Sequence, residues 1–211
     1  MPAQPGITKA EADISYGTEM NRSFPFSWNM NARGALEIHS LVTLRGGASF
    51  GMEGSLSAAA FAQAGVRIPV PFPVFLNVSY IFNSYPDYKT SIHSVIPNIT
   101  AALGRLEITL GYCFRTTRFS RNTAIRENSL AYRIRFNLID TSRGTLTIYG
   151  TNFSDFMCGN TGAYKLGLDY MVPVSSRIAV TGGFELLQTG STGLTSNIYG
   201  MAMNGGVRIC F

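Results

Sequence analysis

The sequence predicts an all-β chain: a closed, antiparallel, up-and-down β-barrel that crosses a bilayer, with about ten strands and eight or twelve as the alternatives. Three observations predict it. Apolar residues recur at every second position through successive segments of about nine to thirteen residues, near the length that a tilted membrane strand needs. No window approaches the ~18 consecutive apolar residues of a membrane helix, since Gln63 cuts the run of alanines from Ala58 and Arg67 follows Val66. Only 14% of the residues are charged, against about 25% in a typical soluble domain, while mean hydropathy is just +0.12.

The elements follow in order. Residues 1–33 read as an arm, a plug for the lumen or an extra hairpin. Pro2, Pro5 and Gly6 argue for an irregular start, and Phe24, Phe26, Trp28 and Met30 alternate weakly. Two strands here would raise the count to twelve. The barrel proper is assigned to 34–211. Its first strand, Ala35 to Arg45, sets Leu36, Ile38, Val42 and Leu44 against Glu37, His39, Thr43 and Arg45. After the loop 46–53, the second sets Leu56, four alternate alanines from Ala58 to Ala64, and Val66 against Ser57, Gln63 and Arg67. Three prolines between Ile68 and Pro73 stop the ladder.

Seven strands follow with the same alternation. Val74 to Phe82 and Val95 to Leu103 flank a polar loop at 83–91, and a tight turn at Gly104 leads into Leu106 to Arg115. The loop 116–127 reads as the longest and most basic. Leu130 to Leu138, the short Leu146 to Tyr149, and Tyr164 to Val172 come next, then Ile178 to Leu186 as a further strand. Connections near 68–73, 104–105, 140–144 and 173–177 are short, and those between them are longer.

The closing strand runs from Asn197 to the last residue. Tyr199, Met201, Met203, Gly205, Val207, Ile209 and Phe211 share one parity, and Arg208, Gly206 and Asn204 lie on the other. This ending resembles the C-terminal signature of bacterial outer-membrane β-barrel proteins, a terminal Phe preceded by apolar residues at alternate positions. The resemblance covers the last nine residues, with Gly205 as its weak position. It implies an outer-membrane location and recognition by the barrel-assembly machinery through Met203, Val207, Ile209 and Phe211. Both chain ends and the arm would then be periplasmic, with the longer loops external. MPAQPGITKAEAD has no charged segment followed by an apolar one, so this reading expects an export signal that was removed or a mis-set start.

A soluble sandwich or lipocalin-like barrel would alternate too. Two features favour lipid. Aromatics gather near strand ends, with Tyr80, Phe82, Tyr112, Phe114, Tyr132, Tyr164 and Tyr199 at the loop side. Phe72, Tyr170 and Phe211 stand at the turn side, and two such girdles suit bilayer interfaces. The second feature is the other parity. It carries Glu37, His39, Arg45, Arg67, Glu107, Arg115, Arg133, Arg135, Lys165, Asp169, Glu185 and Arg208, which are expected to line the lumen and pair across it. Bases outnumber acids in that set, so the lumen is expected to be mildly positive.

Catalytic sets are poorly represented. His39 precedes Ser40 and His93 precedes Ser94, and adjacent strand residues point to opposite faces. Glu37 and His39 share a face, but no nucleophile stands beside them. No metal-ligand spacing or phosphate loop occurs, and no cofactor is expected. Cys113, Cys158 and Cys210 are expected to be free thiols near different strand ends. The net charge of +5 comes from scattered bases, which excludes a nucleic-acid surface as the reading. The one basic concentration is the external loop with Arg115, Arg118, Arg121 and Arg126, suited to lipid phosphates, acidic glycans or a host surface ligand. The function expected is a small porin-like passive channel for small polar or anionic solutes, and not an enzyme. The alternative is an occluded barrel that serves as a surface adhesin or structural outer-membrane protein through its loops.

Overall fold

A strand edge in hydrocarbon has no water to bond its N–H and C=O groups, so a membrane-spanning sheet must close on itself. The computed structural model does so. It describes residues 7–21, 26–38, 41–52, 55–120, 123–159, 163–189 and 198–211. The strands are β1 (Ile7–Asn21), β2 (Ser27–Ile38), β3 (Val42–Met52), β4 (Leu56–Ile68), β5 (Val74–Tyr85) and β6 (Thr90–Leu103), then β7 (Leu106–Arg118), β8 (Ala124–Thr141), β9 (Gly144–Thr151), β10 (Ala163–Pro173), β11 (Ile178–Thr189) and β12 (Ile198–Cys210). Each pairs antiparallel with its sequence neighbours, and β1 pairs with β12, which makes a closed barrel of twelve strands.

The count is twelve rather than the favoured ten because residues 7–38 form two strands. Here the expected strand Ala35 to Arg45 is corrected: its residues fall at the end of β2 and the start of β3. Ile38 pairs with Val42, so the reversal shifts the chain by an even number of residues and the parity survives it. Alternation alone therefore hides that hairpin. The expected 46–53 loop is instead largely β3, with Gly47 opposite Arg33 and Phe50 opposite Met30. The expected 116–127 loop is likewise mostly ladder, with Thr116 opposite Arg126 and Arg118 opposite Ala124. Above the bilayer a ladder needs no apolar face, so periodicity cannot report it.

The outward parity is apolar and exposed around the whole barrel. Ile14, Val78 and Met203 are 63%, 54% and 57% exposed, and Val66, Leu76, Leu110 and Ile134 are comparable. Leaving such side chains in water forfeits about 1.5–3 kcal/mol apiece, and an unbroken belt of them is the surface of a membrane protein. Trp28, Phe50, Tyr80, Tyr112 and Phe114 stand near the external rim, and Phe72, Tyr170 and Phe211 near the other. Tyr164, expected in the external girdle, is instead buried at 3% exposure. At the periplasmic turn between β6 and β7, Gly104 adopts φ +63°, which favours glycine, and so permits a two-residue reversal.

Met203, Val207, Ile209 and Phe211 all lie on the outward face of β12, and the Phe211 amide donates to the Ala10 carbonyl at 2.9 Å. The first and last strands thus close the wall together. Ile14 sits in the middle of β1 opposite Val207. Ile14→Arg is expected to destabilise the barrel by about 2–4 kcal/mol, the mid-bilayer cost of an arginine. Val174→Arg, in the exposed turn after β10, should cost nothing measurable. Reversible urea unfolding in lipid vesicles compares the two, and equal midpoints would show that β1 does not face lipid.

Candidate functional site

The inward parity is small or polar over most of the wall, but β4 to β8 are an exception. Phe61, Ile81, Ile96, Cys113 and Ala131 face inward and are buried, forming one apolar cluster on neighbouring strands. Phe61 and Ile81 are direct ladder partners. This patch is covered by the chain itself.

The covering segment is 152–159, between β9 and β10. Strand β9 stops at Thr151, well short of β8, and the side chains explain why. Asn152 accepts from the Tyr132 amide at 2.8 Å and donates to the Leu130 carbonyl at 2.6 Å, so its amide takes the place of the next ladder residue. Thr151 Oγ1 donates to carbonyls of Tyr132 and Phe153. With β8 capped in this way, the main chain leaves the wall and turns inward. It folds as a miniature hairpin, with Phe153 bridged to Cys158 and the Ser154 amide donating to the Met157 carbonyl at 2.6 Å.

Three kinds of contact seat the hairpin. Phe153 and Cys158 join the apolar cluster, and Phe156 packs edge-on to Phe61 at 5.1 Å. Main-chain carbonyls are held from the wall: Asn83 and Arg133 donate to those of Phe156 and Phe153 at 2.8 and 3.1 Å, and Arg115 donates to that of Cys158. Finally, Asp155 reaches β2 and β3. Its carboxylate lies 3.0 Å from Arg45 and 3.7 Å from Arg33. Arg33 also stacks over Phe156, and Arg133 over Phe153 at 4.5 Å. Among the described residues, the wall contacts of 152–159 fall mainly on β2 to β5, β7 and β8. The segment narrows the external half of the lumen from that side.

Burial disfavours the charged form of Asp155, and the guanidiniums of Arg45, Arg133 and Arg33 more than offset it, so its carboxyl is held below the ordinary 3.8.

The other inward charges are placed as follows. Lys165 and Glu185 pair at 2.8 Å, and the Tyr149 hydroxyl donates to Glu185 at 2.7 Å while its ring lies against Gly167, where a Cβ would clash. Arg135 meets Glu107 at 3.8 Å, and Arg115 meets Glu127 at 3.6 Å. Arg208 contacts the Met171 sulfur, and Asp169 lies beside Gly183. Glu37 stands opposite Thr43, and Arg67 opposite Phe75, both toward the periplasmic end. His39 and Arg121 lie outside the described residues.

Two expectations change. Of the expected basic external loop, Arg118 and Arg126 are exposed on one face of extensions of β7 and β8, and Arg115 turns into the lumen. Nor, among the described residues, is the lumen positive overall. Strand β1 adds Glu11, Asp13 and Glu19 to the inward face, and Asp155 and Glu127 join them. The positive charge is local instead, with Arg33, Arg45, Arg133 and Arg135 gathered about the in-folded hairpin. Asp155 and the residues of β1 were missed because neither a loop nor a weakly alternating start shows where its side chains point. Phe61, Ile81 and Ile96 did leave a signal, as large apolar residues on the otherwise polar parity.

His93 faces outward, sharing a 2.7 Å hydrogen bond with the Tyr80 hydroxyl beside the Phe82 ring. Ser94 is buried on the opposite face. Ser91 shares the face of His93, and among the described residues no hydrogen bond joins the two.

A closed barrel with a lipid-facing apolar belt and a charged, narrowed interior defines a membrane-spanning β-barrel protein. No family model matches the chain, and no curated protein sequence does. Solved structures do match in fold. The NanC porin aligns with a TM-score of 0.62 at 10% identity, over 94% of this chain and 98% of that one. The KdgM porin in complex with disordered oligogalacturonate aligns at 0.61 and 11% identity, over 94% and 99%. The outer-membrane phospholipase A of Escherichia coli aligns at 0.54 and 11%, over 99% and 93%. The fold is that of bacterial outer-membrane β-barrels, a fold that carries both porins and an enzyme.

The Asp155 clamp makes a prediction with a definite sign. A carboxyl held below 3.8 stabilises the seated hairpin above that pH, and the stabilisation is lost as pH falls through the lowered value. Amide exchange of 152–159 should thus reflect a constant opening equilibrium from about pH 5 to 8 and a rise in opening only in acid. Asp155→Asn should raise opening about tenfold or more at neutral pH, given the ~1.5–3 kcal/mol of hydrogen bonds to charged groups. Equal protection in the variant would show that Asp155 does not hold the hairpin.

Proposed function

We propose that this protein is a small passive channel of the bacterial outer membrane, selecting small polar solutes and favouring anions. One observation carries the reading: an in-folded hairpin narrows a charged lumen and gathers guanidiniums at the narrowing. A barrel that served only as an anchor would gain nothing from buried charges, which are costly to desolvate. Among the described residues Arg208 Nε has no hydrogen-bond partner, and a buried water in a wet lumen would supply one. Along β10 to β12 and β1 the inward residues include the small Gly183, Gly206 and Ser15, and solutes would pass the hairpin on that side. Fold similarity to the two porins agrees with this reading.

Anion preference would arise at the constriction, where field lines from clustered guanidiniums act on a partly dehydrated ion. The balanced charge elsewhere in the lumen would stabilise the wall and contribute little selectivity. The barrel-assembly machinery would recognise the β12 ending, whose signature residues all face lipid.

Planar-bilayer recording of detergent-refolded protein tests the proposal. Discrete channels with a reversal potential shifted toward anions are expected. Arg45→Glu should move that potential toward cations, and replacing 153–158 with a short Gly-Ser link should raise conductance severalfold. A silent bilayer from heat-modifiable, folded protein would overturn the channel and favour an occluded barrel that acts through its external surface.

A further inference from the structure

Cys113 and Cys158 are buried in one cluster inside the barrel. Cys113 projects inward from β7, and Cys158 lies at the end of the in-folded hairpin, 45 residues further along the chain by their numbers. Both belong to the apolar cluster, at 0% and 5% exposure, and Cys113 is the ladder partner of Ser129. Hydroxyls of Ser94 and Ser129 flank the pair, and Ser129 also donates to the Gly159 carbonyl. Arg115 holds the Cys158 carbonyl, so a guanidinium stands beside both sulfurs. All three cysteines are free thiols in the structure, as expected, and the expectation that they stand near different strand ends is corrected for this pair, which shares one cluster. It holds for Cys210, at the periplasmic end of β12 opposite Glu11.

We propose that Cys113 and Cys158 are an oxidation site, joined as a disulfide that pins the hairpin to β7 and fixes the constriction. The functional consequence rests on the channel reading above, whereas the bond itself does not. The physical reasons are three. Outer-membrane proteins mature in an oxidising compartment, where neighbouring thiols are carried to disulfides. The hairpin end is already seated on the strands beside Cys113, so closing the bond would shift the hairpin and leave the barrel wall in place. A neighbouring cation favours the thiolate that must attack.

The exchange balances with a disulfide oxidant, either the disulfide of a thiol oxidoreductase or oxidised glutathione. One cysteine thiolate attacks the oxidant's disulfide, forming a mixed disulfide and expelling one oxidant thiolate. The second cysteine thiolate attacks the protein sulfur of that bond, closing Cys113–Cys158 and expelling the second oxidant thiolate. Two protein thiols are oxidised, the oxidant is reduced to two thiols, and the two protons lost by the cysteines are taken up by them. Both sulfurs are buried once the hairpin is seated, so exchange takes place while it is open, during assembly or in a transient opening. A reductant likewise reaches the seated disulfide only during such an opening.

The full chain refolded in detergent with oxidised glutathione, then denatured and alkylated, provides the test. A peptide pair linked through Cys113 and Cys158, with Cys210 alone alkylated, is expected. Three alkylated cysteines, or a linkage through Cys210, would overturn the proposal. In planar bilayers, dithiothreitol applied to the oxidised protein should increase open–closed fluctuations severalfold, and Cys113→Ser and Cys158→Ser should fluctuate that way without reductant. Heat-modifiable mobility on gels verifies that both variants fold. Unchanged fluctuations across all of these would overturn the pinning role. A bilayer silent in every redox state would instead overturn the channel reading, while the linked peptides still decide whether the bond forms.

Discussion

The ladder between β1 and β12 is the constraint on which the rest of this molecule depends. Within hydrocarbon each unpaired backbone group costs several kcal/mol, so an open edge is not available to a strand that crosses a bilayer. The pairing of Asp13 with Arg208 and of Ile14 with Val207 removes the last two edges. It also decides what β1 is for. Its outward residues complete the lipid belt, and its carboxylates complete the charge pattern of the interior, where Asp13 meets Arg33. An element that would be dispensable as an arm is indispensable as a wall.

Closure turns the usual arrangement of a protein inside out. Apolar side chains face outward to lipid, and the interior has to satisfy polar groups that water or partner side chains must bond. Most of the inward face meets this demand with small residues and with pairs such as Lys165 and Glu185. The patch on β4 to β8 does not, because Phe61, Ile81 and Ile96 would meet a wet lumen. The hairpin 152–159 supplies the missing cover with Phe153 and Phe156, and Asp155 fixes its far end to Arg33 and Arg45. Packing supplies the seat, and the ion pairs set the direction in which the hairpin points.

Placement of charge matters more here than its total. With β1 counted, the described acids and bases inside the barrel roughly offset one another, yet the guanidiniums nearest the hairpin are not offset to the same degree. A solute passing the narrowing would meet that local field, since screening by pairs elsewhere acts over about 8–10 Å in salt. The same hairpin carries the cysteine that meets β7. The proposed anion preference and the proposed oxidation site therefore rest on a single short segment.

Alternation by itself determined the class of the fold, the faces of most strands and the polarity of the lumen, because lipid and water impose a period of two that side chains must obey. It also placed Glu107, Arg133, Arg135, Lys165 and Glu185 on one side of the wall. It could not resolve the reversal between β2 and β3, where parity is kept, or the ladder extensions near Arg118 and Arg126, where both faces are polar. The constriction was beyond it altogether. Whether 152–159 stands out in water or folds inward depends on Asn152 capping β8 and on an apolar seat built from five separate strands. Those partners are distant in sequence, and only the closed barrel brings them to one place.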